Sequence, residues 1–407
     1  MIVLLAVLPA LAREEFVGPF ASWTNIKTYG AAGDGISDDS AAIQSALTRL
    51  GLSGASPVLY FPPGTYAVSK PLLLAERNKV ALIGYSPASV RIQWRGVTGG
   101  SVLHLNGVAF SRFSRITFDG AGKAAVLIDQ SWDNHKPYFD TGNEYSDDVF
   151  TGAGIGIRGG NLDYGFAETS VLRSKFLSLT TGILLGNFNA LDLWVWDSLF
   201  DHCGTGITNN PGAGAWHVYN STFLYSRVAD NSIGNTGAFS FVGNYSVGAS
   251  PFLAAGETIN PALITVQANR INSTVPISIR NQGPLLMLDN IVGSNRSVPG
   301  VTASFPSDID LISIGNRYAG RTGVSTVGRL TTMDDLTLQS NRFAAPPPIT
   351  TPPNTSRTII EVPAGATSNV IQAAIDSAAR LNGQKAVVHI PFGQYSGVSI
   401  TVPPCDL

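Results

Sequence analysis

The chain has 407 residues with 26 basic and 28 acidic side chains, which gives a formal net charge of −2, and only 13% of the residues are charged. A hydrophobic content of 44% excludes a disordered chain, and the lack of a basic excess argues against a nucleic-acid binder. Forty-three glycines with so few charges are typical of an all-β protein with many tight turns. Two cysteines, Cys203 and Cys405, are too few for a disulfide framework or a metal site, so we expect no metal or cofactor.

The N-terminus is typical of a short secretory signal. Residues 2–11 are nearly all apolar, and Ala10-Leu11-Ala12 is a small-x-small site followed by polar residues. We therefore predict a signal peptide over residues 1–12 and a secreted or periplasmic protein. Because a basic n-region is missing, a misassigned start or a hydrophobic N-terminal strand is the alternative. No other stretch approaches the ~20 apolar residues of a membrane span, so we expect no membrane association.

Residues 24–66 have the pattern of a cap on a larger all-β structure. A strand and a glycine-rich turn lead to an amphipathic helix from Ser40 to Leu50, with Asp38 or Asp39 as its N-cap. Residues 57–66 then form a strand that ends in a turn. Capping and turn formation explain the aspartates here better than a metal site, because their spacing fits no EF-hand loop.

The segment from Asp129 to Phe150 does not fit one strand and turn. It is rich in acidic and aromatic residues, and long loops on rigid scaffolds often carry function. We expect it to fold over the coils that follow as the wall of a site, the alternative being an exposed, disordered insertion. Its candidate residues are Glu144 as an acid, and Trp132, His135 and Tyr145 as contacts to the substrate.

From residue 170 onward, alternating apolar residues, then Ser or Asn, then often an aromatic residue recur. The repeats start 24, 23, 23, 25, 21, 26 and 25 residues apart. This period and the two-residue alternation of each short strand predict a solenoid, and without a leucine framework the architecture is a right-handed parallel β-helix. Asn at the turn tolerates left-handed geometry, and its amide can bond to the next coil. The repeated residues are Ser174, Ser198, Ser221, Asn244, Asn269, Asn290, Asn316 and Asn341.

After a Pro/Thr-rich segment, residues 344–357, the pattern of the N-terminal cap returns. Ile371-Gln372 echoes Ile43-Gln44, and Tyr395 echoes Tyr66. We therefore divide the chain into a β-helix over 22–343, an extended linker over 344–357 and the truncated start of a second β-helix over 358–407. A lone cap cannot bury its apolar face without following coils, so we expect the missing second half to pack against the first.

The opening motifs resemble those of the pectate-lyase superfamily of β-helices. They are residues 29–35 (YGAAGDG), Asp38-Asp39, residues 42–44 and residues 61–66 (FPPGTY), while the rest of the chain matches only through its coil period. The tandem layout is most similar to that of family-55 glycoside hydrolases, which are exo-β-1,3-glucanases. This resemblance implies a carbohydrate-active protein. It also implies an inverting enzyme whose site lies between two β-helices, with the catalytic acid in the missing half.

Phasing the strands on the Ser/Asn position stacks one group of side chains on an outward face. The intervening positions are mostly apolar and are expected to point inward. The outward residues are Glu168 and Asp192 six positions before Ser/Asn, Trp194 and His217 four before it, and Trp196 and Tyr219 two before it.

This composition suits a glycan, because aromatic rings stack on sugar faces and paired carboxylates act as acid and base or nucleophile. Coils ~4.8 Å apart would place Glu168 and Asp192 near the ~5–5.5 Å separation of retaining glycosidases. Carboxylates that close raise the pKa of one of them, as a general acid needs. The alternative is that these outward positions are simply polar, with Trp under a loop.

We therefore predict a secreted glycoside hydrolase whose partner is a neutral polysaccharide of the β-1,3-glucan type. The Gly-His-Gly motif of polygalacturonases is absent, and the face shows no Lys or Arg over a polyuronate. The alternatives are a polyuronate (pectin or pectate) lyase or hydrolase, and a non-catalytic glycan-binding adhesin or tailspike-like stalk.

Overall fold

The computed structural model describes residues 14–133, 137–160, 166–234, 237–256, 262–280, 283–294, 299–304, 310–319, 321–338, 343–381 and 383–403. The predicted signal peptide, His135, Asn341 and Cys405 lie outside the described residues. The chain forms two compact units, one of residues 25–349 and one of residues up to 24 together with those from 350 onward. In the described part, no helix is long and apolar enough to span a membrane.

Residues 25–349 form a parallel β-solenoid of about 12 turns, which confirms the predicted architecture. Each regular coil gives one strand to each of three parallel ladders, and two long strands serve both the second and the third ladder. The ladders are described in the order in which the chain enters them along one coil.

The first ladder is one parallel sheet, and its strands are Thr24–Asn25, Val58–Phe61, Ala81–Gly84, Arg112–Ser114, Glu144–Ser146, Phe166–Leu172, Ala190–Trp196, Trp216–Tyr219, Gly237–Val242, Ala262–Gln267, Leu285–Leu288, Asp310–Ile314 and Arg329–Met333. The second ladder contains Asp34–Asp38, Gly64–Val68, Val90–Trp94, Thr117–Ser131, Val149–Gly159, Lys175–Leu177, Leu199–Asp201, Thr222–Leu224, Tyr245–Val247, Arg270–Asn272, Ile291–Gly293, Arg317–Ala319 and Leu336–Leu338. The third ladder contains Leu72–Asn78, Ser101–Ala109, the two long strands already named, Thr181–Leu185, Thr205–Asn209, Ala229–Ile233, Leu253–Ala255, Ile277–Arg280, Pro299–Ser304 and Arg321–Val327.

A column of phenylalanines fills the interior at the start of the second ladder. Phe150, Phe176, Phe200 and Phe223 are fully buried, one per coil. Their ring centroids lie 4.8, 4.6 and 4.8 Å apart along the column, and the rings are nearly parallel. Because each ring buries ~150–250 Å², this column is a large part of the hydrophobic stabilisation of the solenoid.

The predicted Ser/Asn row forms a hydrogen-bonded ladder at the turn between the first and second ladders. The backbone N–H of Asn244 donates to Asn269 Oδ1 at 2.9 Å, and that of Asn269 donates to Asn290 Oδ1 at 3.0 Å. These side chains are buried and satisfy backbone groups that no strand pairs. The expectation that the Ser/Asn residue itself takes left-handed geometry is wrong: the preceding residue does, as at Arg173 with a φ of 48° and Asn220 with a φ of 49°.

The N-terminal cap contains a short 3₁₀ helix, Ile26–Tyr29, and the α-helix Ser40–Arg49. The α-helix buries Ile43 and Leu47 against the first coil, as its periodicity predicts. Asp39 holds the N-cap position, but its carboxylate accepts from the amides of the preceding turn, and Asp38 accepts from the Ser40 N–H at 3.0 Å.

The other unit contains the α-helix Ser368–Ala379 and two short parallel strands, Ile359–Glu361 and Val387–His389. Gln372 exchanges two hydrogen bonds with the backbone of Thr401, as Gln44 does with Leu73 in the first cap. Residues 14–24 belong to this unit, and the ring of Phe20 stacks on His389 with centroids 3.9 Å apart. The sequence had no signal for that association.

Candidate functional site

Four ring side chains lie on the outward face of the first ladder, and we call them the platform: Trp194, Trp196, His217 and Tyr219. The register of the parallel strands puts Trp194 beside His217 and Trp196 beside Tyr219. In each pair the ring centroids are 5.9 Å apart, with interplanar angles of 23° and 15°. The platform is therefore two coils wide and two outward positions long, and all four residues are partly exposed.

Alternation along two neighbouring strands fixes the direction of the platform rings. Leu193 and Val195 on one strand, and Trp216 and Val218 on the next, point inward with no exposed surface. Because successive side chains of a strand point to opposite faces, burying this set holds the intervening rings outside. A one-residue slip of register would put the rings in the core and the apolar set in solvent.

Glu168 and Asp192 occupy matching positions at the start of their strands, one coil apart. Each lies between residue pairs in register, and each has left-handed backbone, with φ of 52° and 58°. The coil spacing of ~4.8 Å sets the distance between their backbones. Thr141 donates its hydroxyl to Glu168 Oε2 at 2.6 Å, which ties this carboxylate to residues 132–143.

Glu144 lies on the same face, in the row that continues through Ser170 to Trp194. The register extends this row in the other direction to Arg112, whose Nε is 3.0 Å from Glu144 Oε1. The expectation that the face carries no Lys or Arg is therefore wrong. The repeat that sets the phase of the strands begins at residue 170, so the coil of Arg112 lies before it.

His217 is the titratable member of the platform. Burial lowers its pKa below the ordinary value, and the negative charge of Asp192 opposes this in part. Within the described chain, its Nδ1 is buried with no hydrogen-bond partner. A neutral imidazole at this position presents an uncharged ring beside Trp194.

The segment predicted as one long loop is partly strand. Asp129 and Phe150 lie in the two long strands, and residues 132–143 connect the third ladder to the first. Tyr145, predicted to contact the substrate, is fully buried, and it donates its hydroxyl to Gln130 Oε1 at 2.6 Å. It therefore lies in the core, out of reach of a glycan on the surface. Trp132 packs edge-on against Phe139 with centroids 5.2 Å apart.

A second polar cluster, which the sequence did not single out, lies on the outward face of the third ladder. His104 Nε2 is 3.1 Å from Asp133 Oδ2, and Arg158 binds Asp129 through two hydrogen bonds of 2.9 and 2.8 Å. Burial alone would lower the pKa of His104, but the negative Asp129 and Asp133 outweigh it and raise the pKa. The contact between His104 and Asp133 holds Asp133 against the sheet.

The platform combines exposed rings with carboxylates at one edge. Flat rings two coils wide offer a stacking surface, and Glu168, Asp192 and Glu144 lie at its edge with exposed or partly exposed side chains. Of the described side chains, no group of three or more His, Cys, Asp or Glu is placed to hold a metal ion. The side chains of this face are suited to stacking, hydrogen bonding and proton transfer by carboxylates.

Comparisons with known proteins agree with this architecture. Residues 23–131 match the family model described as rhamnogalacturonase A/epimerase, pectate lyase-like. A probable glucan endo-1,3-beta-glucosidase of Arthroderma benhamiae is 28% identical over 264 residues, which cover 52% of this chain and 28% of that protein. A mannuronan C5-epimerase of Azotobacter vinelandii is 37% identical over 98 residues, which cover 23% of this chain and 11% of that protein. The chain thus spans well under two thirds of these relatives.

Solved structures with the same fold include proteins with different functions. PfbA, a surface adhesin of Streptococcus pneumoniae, aligns with a TM-score of 0.54 at 15% identity over 77% of this chain and 91% of that one. The catalytic unit of an α-1,3-glucanase from Streptomyces thermodiastaticus aligns with a TM-score of 0.51 at 13% identity over 79% and 70%. Residues 23–131, which match the pectate-lyase-like family model, open a right-handed parallel β-helix.

Proposed function

We propose that the chain hydrolyses glycosidic bonds of a neutral glycan of the β-1,3-glucan type, at the carboxylates beside the platform. The observation that carries this proposal is the register, which aligns two pairs of rings across neighbouring coils with Glu168 and Asp192 at the start of the same strands. The probable glucan endo-1,3-beta-glucosidase among the relatives supports the choice of substrate class.

In this proposal Glu168 and Asp192 are the reacting pair. One carboxylic acid protonates the glycosidic oxygen as the bond to the sugar breaks, and the other carboxylate attacks the anomeric carbon to form a covalent glycosyl-enzyme. Water then hydrolyses that intermediate, and the first residue takes up its proton. A carboxylate separation of about 5–5.5 Å suits this retaining course, and the spacing of neighbouring coils is of that size.

Glu144 is the alternative partner in this reaction. With either Glu168 or Asp192 it would make an inverting pair if the carboxylates are ~6.5–9.5 Å apart, because that distance leaves room for the attacking water. Its ion pair with Arg112 holds it in place. Arg112 is the one cation in the row that runs from Arg112 to Trp194, and the carboxylate of Glu144 compensates its charge. An occupied cation favours an uncharged glycan over a polyuronate.

The experiment is a screen of purified protein against laminarin, pectate, polygalacturonate and xylan, with reducing ends and unsaturated products measured separately. We expect new reducing ends from laminarin, and large losses in Glu168→Gln and Asp192→Asn. Asp289→Asn is the matched control, since Asp289 is an exposed left-handed residue at a turn several coils away. Unchanged turnover in both site variants would refute the assignment. Binding without turnover would indicate an adhesin, and unsaturated products from pectate would indicate a lyase.

We also propose that the chain is secreted, with cleavage after Ala12. The support is the apolar run and small-x-small site of residues 2–12. Protein recovered from culture medium should begin at Arg13 when its N-terminus is sequenced. A mature protein that still begins at Met1 would contradict the proposal.

We further propose that residues 358–407 start a second β-helix whose later coils cover their apolar side chains and pack against the first. The support is the pair of Gln372 hydrogen bonds that repeats the first cap, together with 71% exposure of Phe392 and 63% exposure of Val402. Phe392→Ser should lower binding of a hydrophobic dye and leave the unfolding midpoint unchanged. A large loss of stability would show instead that Phe392 is already in a core.

A further inference from the structure

A groove of about 470 Å³ lies along a different edge of the solenoid from the platform. It crosses successive coils at the turns that follow the short strands of the second ladder. The residues that line it include Tyr225, Gly248, Asn272, Ser273, Thr274 and Ser294. We call it the turn groove.

The turn groove is built by the register of the coils. Its row of residues is held by backbone bonds from one coil to the next: Tyr225 N–H to Val247 O at 2.8 Å, Gly248 N–H to Asn272 O at 3.1 Å, and Ser273 N–H to Gly293 O at 3.2 Å. After the tyrosine, the row continues with small residues, one glycine and two serines. With coils ~4.8 Å apart, the floor from Tyr225 to Ser294 is roughly 14 Å long.

Tyr225 forms the wall at one end of the turn groove. Its side chain is 52% exposed, and its backbone has a left-handed φ of 55°. The ring of His202 packs against it with centroids 5.2 Å apart, and His202 is itself hydrogen-bonded to Asp201 at 2.6 Å. Gly248, which follows in the row, has no side chain to cover the ring, so the tyrosine lines the groove.

The chemistry of the lining selects an uncharged ligand with several hydroxyl groups. The lining side chains are a tyrosine, an asparagine, serines, a threonine and small apolar groups, and none of them is charged. Burying a charged group against such a surface is unfavourable, because no opposite charge compensates it. A sugar ring presents an apolar face to an aromatic ring and hydroxyl groups to amides and hydroxyls.

We propose that the turn groove is a second carbohydrate-binding site, which holds a short stretch of a neutral glycan with one sugar stacked on Tyr225. This inference is independent of the proposed hydrolysis, because the two sites share no residue. A protein with both sites would bind one long polysaccharide, or two neighbouring chains, at two places.

A glycan attached to the chain itself would be a second source of sugar at the turn groove. Asn272-Ser273-Thr274 is an Asn-x-Ser/Thr acceptor sequence, so a glycan attached to Asn272 would also lie at the turn groove. Protein made in the bacterial cytoplasm carries no such glycan and therefore tests the free ligand alone.

The experiment follows the imidazole NMR signals of that protein during titration with a β-1,3-linked glucose trisaccharide. The His202 signal reports the turn groove, because its ring touches Tyr225. The His217 signal reports the platform, because its ring stacks on Trp194. Histidine-to-glutamine variants assign the two signals.

We expect the His202 signal to shift with the trisaccharide and to stay unchanged with an equally long oligogalacturonate. Tyr225→Ala should weaken this binding about tenfold, whereas Tyr225→Phe, which keeps the ring, should retain most of it. Thr274→Trp should block the turn groove while leaving Tyr225 in place.

A His202 signal that does not respond would overturn the second site, as would a response that persists unchanged in both Tyr225→Ala and Thr274→Trp. A sugar found only as a mass addition at Asn272 in secreted protein, without binding of the free trisaccharide, would overturn it in favour of attachment. Loss of the His217 response alone would count against the platform and leave the turn groove standing.

Discussion

The interior of the solenoid and its outer face follow different rules. Inside, a fully buried phenylalanine recurs at the same position from Phe150 to Phe223, and the buried Ser/Asn ladder continues through Asn316. Outside, the rings of the platform occupy two coils, and the next coil has Ser240 and Val242 in their place. The repeated positions specify the fold, and the departure from repetition marks the face at which we propose the function.

The largest expected effect is on turnover by the outer face. Glu168→Gln should lower kcat on laminarin about 10²–10⁴-fold, because it removes a carboxyl group that transfers a proton or attacks the sugar. The change is outside the core, so the urea unfolding midpoint should stay where it is. If Glu168→Gln also lowers the urea unfolding midpoint, the loss of kcat reflects a loss of folded protein, and Glu168 has a structural role like the residues of the interior.

The second effect is on the interior alone. Phe200→Ala should lower the free energy of unfolding by about 3–5 kcal/mol, because it opens a cavity between two stacked rings. Trp196→Ala, a matched aromatic truncation on the outer face, should cost far less, since its side chain is only partly buried. Urea unfolding of both variants gives the comparison, and equal costs would contradict the distinction between the two regions.

The third effect is on the free energy of unfolding, and it compares a buried polar side chain with an outward one on the same strand and its turn. Asn269→Ala removes the acceptor of the Asn244 backbone N–H and should cost about 1–3 kcal/mol of unfolding free energy, because that amide stays buried without a partner. Gln267→Ala, two residues earlier and outward, is the control and should be near neutral. A Gln267 variant as unstable as the Asn269 variant would argue against the ladder.

A smaller effect is expected on glycan affinity. Trp194→Ala should weaken binding of a β-1,3-glucan oligosaccharide by about 0.5–1.5 kcal/mol, the amount that an aromatic contact adds beyond burial. Trp194→Phe should recover part of it, because a ring remains beside His217. Calorimetric titration measures both, and identical affinities across the three proteins would remove the platform from the binding surface.

The smallest effect is on how folding stability depends on pH, and two histidines contribute to it with opposite signs. The pKa of His217 should lie below 6.5, because the folded protein disfavours its charged form. Its contribution to stability is therefore complete above pH 6.5 and is lost as the pH falls through the folded value. The pKa of His104, beside Asp129 and Asp133, should lie above 6.5, so its stabilisation is complete below pH 6.5 and is lost as the pH rises through the folded value. NMR titration of both rings checks the order, and a reversed order would contradict these environments.

Periodicity in the sequence was sufficient to predict the coils, the inward positions and the platform register, because each depends on alternation within a short strand. It was insufficient where contacts join distant segments. Tyr145 was placed at the surface since its segment looked like a loop, whereas it pairs in register with Phe113 and Val171 in the interior. His104 and Asp133 are 29 residues apart, and their contact joins two successive coils that no local pattern links. Tyr225 occurs in no motif, and the turn groove beside it exists only because small residues follow in the next coils.

The most direct test of the account is the response of His217 to a β-1,3-linked glucose oligosaccharide. The ring of His217 is one of the four platform rings and stacks on Trp194, so a sugar on the platform must change its NMR signal. We predict a saturable shift in the wild-type protein that Trp194→Ala weakens. A His217 signal that stays unchanged at saturating sugar would contradict the claim that this face binds a glycan.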